Sequence, residues 1–210
     1  MEYGFVFQSA NRATMHRTIF DTPVLNRFLS AVSFGFLKLT GWKVVGSLPP
    51  NGYKSVLIAA PHTSNWDLPY TLMVAFALKL NIYWMGKEQL FRPPLRGLMT
   101  WLGGIPVHRD KSTNFVAASA AAIKAARGPL QLVVSPEGTR SKSRDWKTGF
   151  YYIALGAQVP IMLAYLDYEK KIGGLGPVFQ PTGDVAADLT AIKAFYAPFK
   201  GKNSTQFHAD

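Results

Sequence analysis

The amino-acid sequence predicts an α/β fold: a mostly parallel central sheet with helices on both faces, preceded by an N-terminal amphipathic helix. Three observations carry this expectation. Short apolar runs recur along the chain: "VLIAA" over 56–60, "NIYWM" over 81–85, "IPVH" over 105–108, "LQLVVS" over 130–135 and "VPIMLAY" over 159–165. They do not alternate between apolar and polar residues, so they suit strands covered on both faces. Helical stretches lie between them, at 66–79, 88–102, 112–127 and 147–156, and strands alternating with helices build parallel sheets.

The elements follow in chain order. From Val24 to Trp42, the residues Leu25, Phe28, Leu29, Val32, Phe36 and Leu39 recur at helical spacing with Arg27 and Lys38 among them. This is an amphipathic helix with aromatic weight. Such a helix either packs on the core or lies in a membrane interface. The segment "STNFVAASAAAIKAAR" opens with Ser112 or Thr113 as a helix cap and stops before Gly128-Pro129. Thr148 to Leu166 carries no charge and is long enough to cross a bilayer. Gly156, Gln158 and Pro160 break it, however, and it reads as a buried helix followed by a buried strand. The 210 residues are read as one domain, 1–210, large enough to bury a core. Residues 1–45 form an amphipathic segment able to face a membrane, and 55–165 form the motif-bearing core.

Composition narrows the function. The formal net charge is +11. Basic residues outnumber acidic ones six to two in 1–60 and twelve to five in 61–150, and balance thereafter, so the whole excess lies in the first 150 residues. A basic surface favours a polyanion, an anionic membrane or a phosphorylated small molecule, or serves solubility alone. No nucleic-acid motif occurs, and the aromatic residues sit in apolar runs instead of among the basic ones, so no nucleic-acid partner is expected. The absence of cysteine excludes disulfides, thiolate metal sites and cysteine nucleophiles, and fits a reducing compartment. Met1-Glu2-Tyr3 does not open a secretory signal. The four histidines, His16, His62, His108 and His208, show no ligand spacing, so no metal is expected. All but His62 read as structural or exposed.

Three motifs follow strand candidates, and in parallel sheets ligands bind beyond the carboxyl ends of strands. The first is "PHTSNWD", residues 61–67. On one continuous helix His62 and Asp67 would diverge by roughly 140°. They meet if His62 lies in a loop and Asp67 in the first helical turn, where Thr63, Ser64 and Asn65 supply capping groups. The carboxylate can then fix the imidazole tautomer and leave the other nitrogen as a base. The plainer alternative is a helix cap with an incidental histidine. The second is "GGIPVHRDK", which delivers Arg109 at a strand tip. Its planar fork suits a phosphate or carboxylate, although a solvated surface arginine looks the same. The third is "SPEGTRSKSRDWKTGF", residues 135–150. Pro136 and Gly138 force a turn that a ligand can approach. Arg140, Lys142, Arg144 and Lys147 make an anion site, with Glu137 read as the acid that holds the arginine in place.

Taken together, these motifs resemble the glycerolipid acyltransferase family, whose type member acylates 1-acylglycerol-3-phosphate. The His-x4-Asp block matches His62 to Asp67, with Ser64 at its third position. Gly-x-Ile-x-Val-x-Arg matches Gly103, Ile105, Val107 and Arg109; Pro-Glu-Gly-Thr-Arg-Ser matches 136–141 without change. Trp146-Lys147-Thr148-Gly149 and Val159-Pro160-Ile161 match the downstream blocks. The sequence departs from the family at Pro61, where Asn is common, and at His108, where an acid is frequent. The resemblance implies an O-acyltransferase of phospholipid biosynthesis, moving an acyl group from acyl-CoA or an acyl carrier protein to a lysophospholipid hydroxyl, with no cofactor. His62 would be the general base and Asp67 its orienting partner. Arg109 and Arg140 would hold an acceptor phosphate, with Glu137, Gly138, Thr139 and Lys147 completing the substrate-binding set. Leu98, Met99, Trp101 and Leu102 are candidates for an acyl groove, and Lys87, Arg92 and Arg96 for contact with lipid headgroups. The protein would then sit peripherally on the cytoplasmic side of a membrane. The alternatives are the same chemistry on glycerol-3-phosphate, an amino-acid lysolipid or a glycan alcohol, and a non-catalytic basic protein that binds lipid or nucleic acid.

Overall fold

The computed structural model describes residues 15–48, 53–107, 112–141 and 145–207. A single sheet of seven strands organises them: β1 (Lys43–Val45), β2 (Lys54–Ala59), β3 (Ile82–Lys87), β4 (Gly104–Val107), β5 (Leu130–Val134), β6 (Ile161–Asp167) and β7 (Ile172–Phe179). Their order across the sheet is β1-β7-β6-β2-β5-β3-β4. Every pairing is parallel except β6 with β7, which are antiparallel. The helices are α1 (Pro23–Leu39), α2 (Asp67–Ala77), α3 (Arg96–Trp101), α4 (Ser112–Ala125), α5 (Gly149–Ala157) and α6 (Val185–Tyr196).

Successive strand residues point to opposite faces, and the core divides accordingly. Val56 and Ile58 of β2, Leu130 and Leu132 of β5, and Ile161 and Leu163 of β6 pack with Ile123 of α4, Phe150 and Ile153 of α5 and Ile192 of α6. On the other face Leu57, Val133, Met162, Ile82 and Trp84 pack with Ala75 and Phe76 of α2 and with Ile19 and Phe20. Both faces are therefore apolar along each strand, which is why the runs read as continuous instead of alternating. The uncharged stretch 148–166 becomes α5 and β6, both largely buried.

Three features differ from the sequence reading. The expected helix over 88–102 is cut into a 3-10 turn at Glu88–Phe91 and the short α3. Pro93 and Pro94 lie between them; neither can donate to a helical ladder, and each disfavours helix in the residue before it. The stripe read on the N-terminal helix also divides. Leu25 and Leu29 pack inward, next to buried Ser33 and Leu37, while Phe28, Val32, Phe36 and Leu39 face solvent, Leu39 being 89% exposed. Finally, β1, α6 and β7 are absent from the sequence reading, and β7 looks least like a strand. Its "IGGLGPVF" lacks strand propensity, but its glycines permit close approach. A Cβ on Gly174 would collide with the Val45 carbonyl, and one on Gly173 would sit 2.7 Å from Val74 Cγ2.

Gly174→Ala should accordingly destabilise the protein by about 1–3 kcal/mol through the β1–β7 contact. Urea unfolding checks this, and a stability equal to wild type would remove the close-approach explanation for β7.

Candidate active site

Strands β6, β2 and β5 are parallel neighbours, so their carboxyl ends open on the same edge of the sheet. The chain leaving β2 carries His62, and the chain leaving β5 carries Glu137. The turn leaving β6 carries Tyr168. This is the edge at which ligands bind in open parallel sheets.

His62 lies in the loop after β2, and Asp67 is the first residue of α2. The loop doubles back because the Asp67 carboxylate gathers its donors. Oδ2 accepts from the backbone N–H of Thr63 at 2.8 Å and of Ser64 at 2.9 Å. The same oxygen lies 3.1 Å from His62 Nδ1. The Ser64 hydroxyl accepts from Trp66 N–H at 3.2 Å, tightening the turn into the helix. Asp67 is buried, and 29% of the His62 side chain is exposed. With Nδ1 donating to the carboxylate, the tautomer that fits the network leaves Nε2 without a proton and able to accept one.

Glu137 takes a different position from the one its sequence context suggests. It is buried, and Oε1 accepts from the backbone N–H of His62 at 2.9 Å. It therefore braces the histidine loop instead of holding Arg140. Burial pushes its carboxyl up to about 8, against the pull of the His62 N–H and with the Asp67 charge adding to the rise. Gly138, at φ +64, turns the chain outward past Lys147, whose Cγ lies 3.4 Å from where a Gly138 Cβ would stand. Lys147 N–H closes the turn onto the Pro136 carbonyl at 2.7 Å. The Thr139 hydroxyl accepts from Ser141 N–H at 3.2 Å. Arg140 is half-buried and Lys147 exposed. Arg109, Lys142 and Arg144, and with them His108 and His208, lie outside the described residues. His16 is away from this edge, with Nε2 2.8 Å from the Thr100 carbonyl and its ring edge-on to Tyr83.

Two contributors had no signal in the sequence. The Tyr168 hydroxyl donates to Asp67 Oδ1 at 2.8 Å across 101 positions of chain. The C-terminal segment covers the loop from outside. Asn203 donates through its backbone N–H to Thr63 Oγ1 at 3.1 Å and through Nδ2 to the Thr63 carbonyl at 2.8 Å. Gln206, its amide turned to donate, reaches the carbonyls of Thr63 at 3.2 Å and Arg140 at 2.7 Å. Lys202 Nζ lies 4.7 Å from the centroid of the exposed Trp66 ring.

The Glu137 shift has a consequence for stability. An unfolded glutamate ionises near 4.5, whereas the folded one keeps its proton to about 8. The folded state thus holds the extra proton between these values, and stability should fall as pH rises through that window. Glu137→Gln keeps an acceptor oxygen for His62 N–H and should flatten the fall. Urea unfolding from acid to neutral pH measures it, and an identical slope in the variant would refute the assignment.

Comparison with known proteins identifies the family. The family model described as Acyltransferase matches residues 42–165, more than half of the chain and the stretch that holds His62, Asp67, Glu137 and Lys147. Among solved structures, the crystal structure of PlsC, the 1-acyl-sn-glycerophosphate acyltransferase of Thermotoga maritima, superposes with a TM-score of 0.55. It is 14% identical over 83% of this chain and 79% of that one, a likeness of fold. No curated protein matches significantly. The chain belongs to the acyltransferase family.

Proposed function

We propose that the protein transfers a fatty acyl group from acyl-CoA or an acyl carrier protein to the hydroxyl of a lysophospholipid such as 1-acylglycerol-3-phosphate. The observation that carries the reading is the 3.1 Å contact of His62 Nδ1 with Asp67 Oδ2 at the carboxyl edge of the sheet. In the proposed reaction the acceptor hydroxyl gives its proton to His62 Nε2 as its oxygen bonds to the thioester carbon. Asp67 keeps the imidazole oriented and offsets the positive charge that forms on it. The tetrahedral adduct then collapses, the C–S bond breaks, and the imidazolium returns its proton to the departing sulfur. The substrate hydroxyl is the nucleophile, so no enzyme nucleophile is required. Arg109, Arg140 and Lys147 are assigned to the acceptor phosphate, with Gly138 and Thr139 shaping the turn that presents Arg140. A lysophospholipid acceptor is also favoured by the likeness to PlsC, whose described substrate is 1-acyl-sn-glycerophosphate.

A lipid acceptor calls for access to a membrane, and the surface supports this part of the proposal. Phe28, Val32, Phe36 and Leu39 are exposed on α1. Around α3, Leu90, Leu95, Leu98 and Trp101 are exposed and stand among exposed Lys87, Arg92 and Arg96. Met99 and Leu102, also read from sequence as groove residues, are half-buried against the core. Among the described residues no helix is long and apolar enough to cross a membrane. The proposal puts the protein peripherally on an anionic, cytoplasmic leaflet, where apolar side chains enter the interface and basic ones meet headgroups.

Two outcomes are expected. Thiol release from an acyl-CoA should depend on an acceptor, with 1-acylglycerol-3-phosphate best in a panel that includes glycerol-3-phosphate. His62→Ala should lower it by about 100-fold or more, and release that survives the substitution would refute the mechanism. Reversing charge at Lys87, Arg92 and Arg96 together should abolish sedimentation with anionic liposomes, and unchanged binding would exclude this face.

A further inference from the structure

The His62–Asp67 pair uses one carboxylate oxygen, and the second is held by a residue outside the family-matched stretch. Asp67 Oδ2 serves the two backbone N–H groups and the imidazole. Oδ1 faces the Tyr168 hydroxyl at 2.8 Å. Residue 168 lies beyond 42–165, in the turn joining β6 to β7.

Tyr168 is held in place from three directions. Its ring packs edge-on to Trp42, with centroids 5.1 Å apart, and at a steep angle to Tyr70, with centroids 5.7 Å apart. Its backbone N–H donates to the Lys200 carbonyl at 2.9 Å, joining the turn to the C-terminal segment. The turn itself is closed by Asp167, whose buried Oδ1 accepts from Glu169 N–H at 3.1 Å and Lys170 N–H at 3.2 Å. The hydroxyl is therefore aimed at Asp67 by packing that does not involve Asp67. Burial first, and the Asp67 charge second, push its ionisation far above the ordinary tyrosine range, so it acts as a hydrogen-bond donor throughout the working pH range.

We propose that Tyr168 is a positioning residue that, with His62 and Asp67, completes a three-member relay: Tyr168 fixes the rotation of the Asp67 carboxylate, which in turn orients the imidazole. A carboxylate bound through one oxygen can rotate about its Cβ–Cγ bond and carry the imidazole with it. A second donor on the other oxygen locks that rotation. The same donor draws charge from the carboxylate and so limits how strongly it favours the imidazolium. Among the described residues, the titratable groups placed against the pair are Glu137 from the β5 loop and Tyr168, with Tyr70 against Tyr168 and Lys202 over the nearby Trp66. Tyr168→Phe alters only one of them.

The test compares Tyr168→Phe with wild type on acceptor-dependent thiol release and on the NMR titration of the His62 imidazole, assigned by its loss in His62→Ala. Tyr168→Phe should lower kcat by about tenfold, the scale of a lost hydrogen bond to a charged group, with KM little changed. The acid limb of the rate profile and the His62 midpoint should both move to higher pH, by several tenths of a unit, because the freed carboxylate favours the imidazolium more strongly. A folded variant with unchanged kcat and midpoint overturns the proposal. So does one in which only the melting temperature falls, since that is a purely structural role. The rate arm rests on the acyl-transfer reading. If wild type shows no acceptor-dependent release, that reading fails, and the NMR midpoint alone decides the role of Tyr168.

Discussion

Burying the Asp67 carboxylate at the head of α2 obliges the surrounding chain to supply it with donors, and the donors it receives hold the site together. An unpaired carboxylate at that depth would be strongly unfavourable. The backbone of Thr63 and Ser64, the His62 imidazole and the Tyr168 hydroxyl all converge on it. The loop after β2 must therefore curl back on the helix it precedes, and that curl brings His62 and Asp67 within 3.1 Å of each other. The conformation that satisfies the buried carboxylate is also the one that fixes the His62 imidazole against it.

Glu137 repeats the theme from the neighbouring strand. It too is buried, and its acceptor oxygen meets the His62 backbone N–H at 2.9 Å. The block Pro136 to Ser141 then has two separate tasks, divided at Gly138. Upstream, Glu137 points inward and ties the β5 loop to the β2 loop. Downstream, Thr139 and Arg140 follow the turn outward and are half-exposed. One acid among several basic residues suggests a purely local role in the sequence, but in the fold Glu137 is buried and spans two loops.

The surface is organised by a different rule. Helix α1 is apolar on its inner row and again on much of its outer face, so packing against the core does not exhaust its apolar side chains. Exposed leucines and Trp101 around α3, standing among basic residues, form a second such surface.

The central strands, the α/β class and the two short blocks that follow β2 and β5 were legible in the sequence. Each of these rests on local pattern. Doubly covered strands must be continuously apolar, and the blocks around His62 and Glu137 are short contiguous words. The N-terminal helix was legible for the same reason. What depends on distant pairing is visible only in the folded chain. The strand β7 exists because glycines let it fit between β1 and β6, not because its residues favour extended backbone. Proline cut the helix expected at 88–102. Glu137 faces His62 instead of Arg140, and Tyr168, Asn203 and Gln206 reach the histidine loop from far along the chain. No periodicity or local word encodes such contacts. They follow from the order of strands in the sheet, which places the ends of β6, β2 and β5 side by side and lets residues distant in the chain meet around one buried carboxylate.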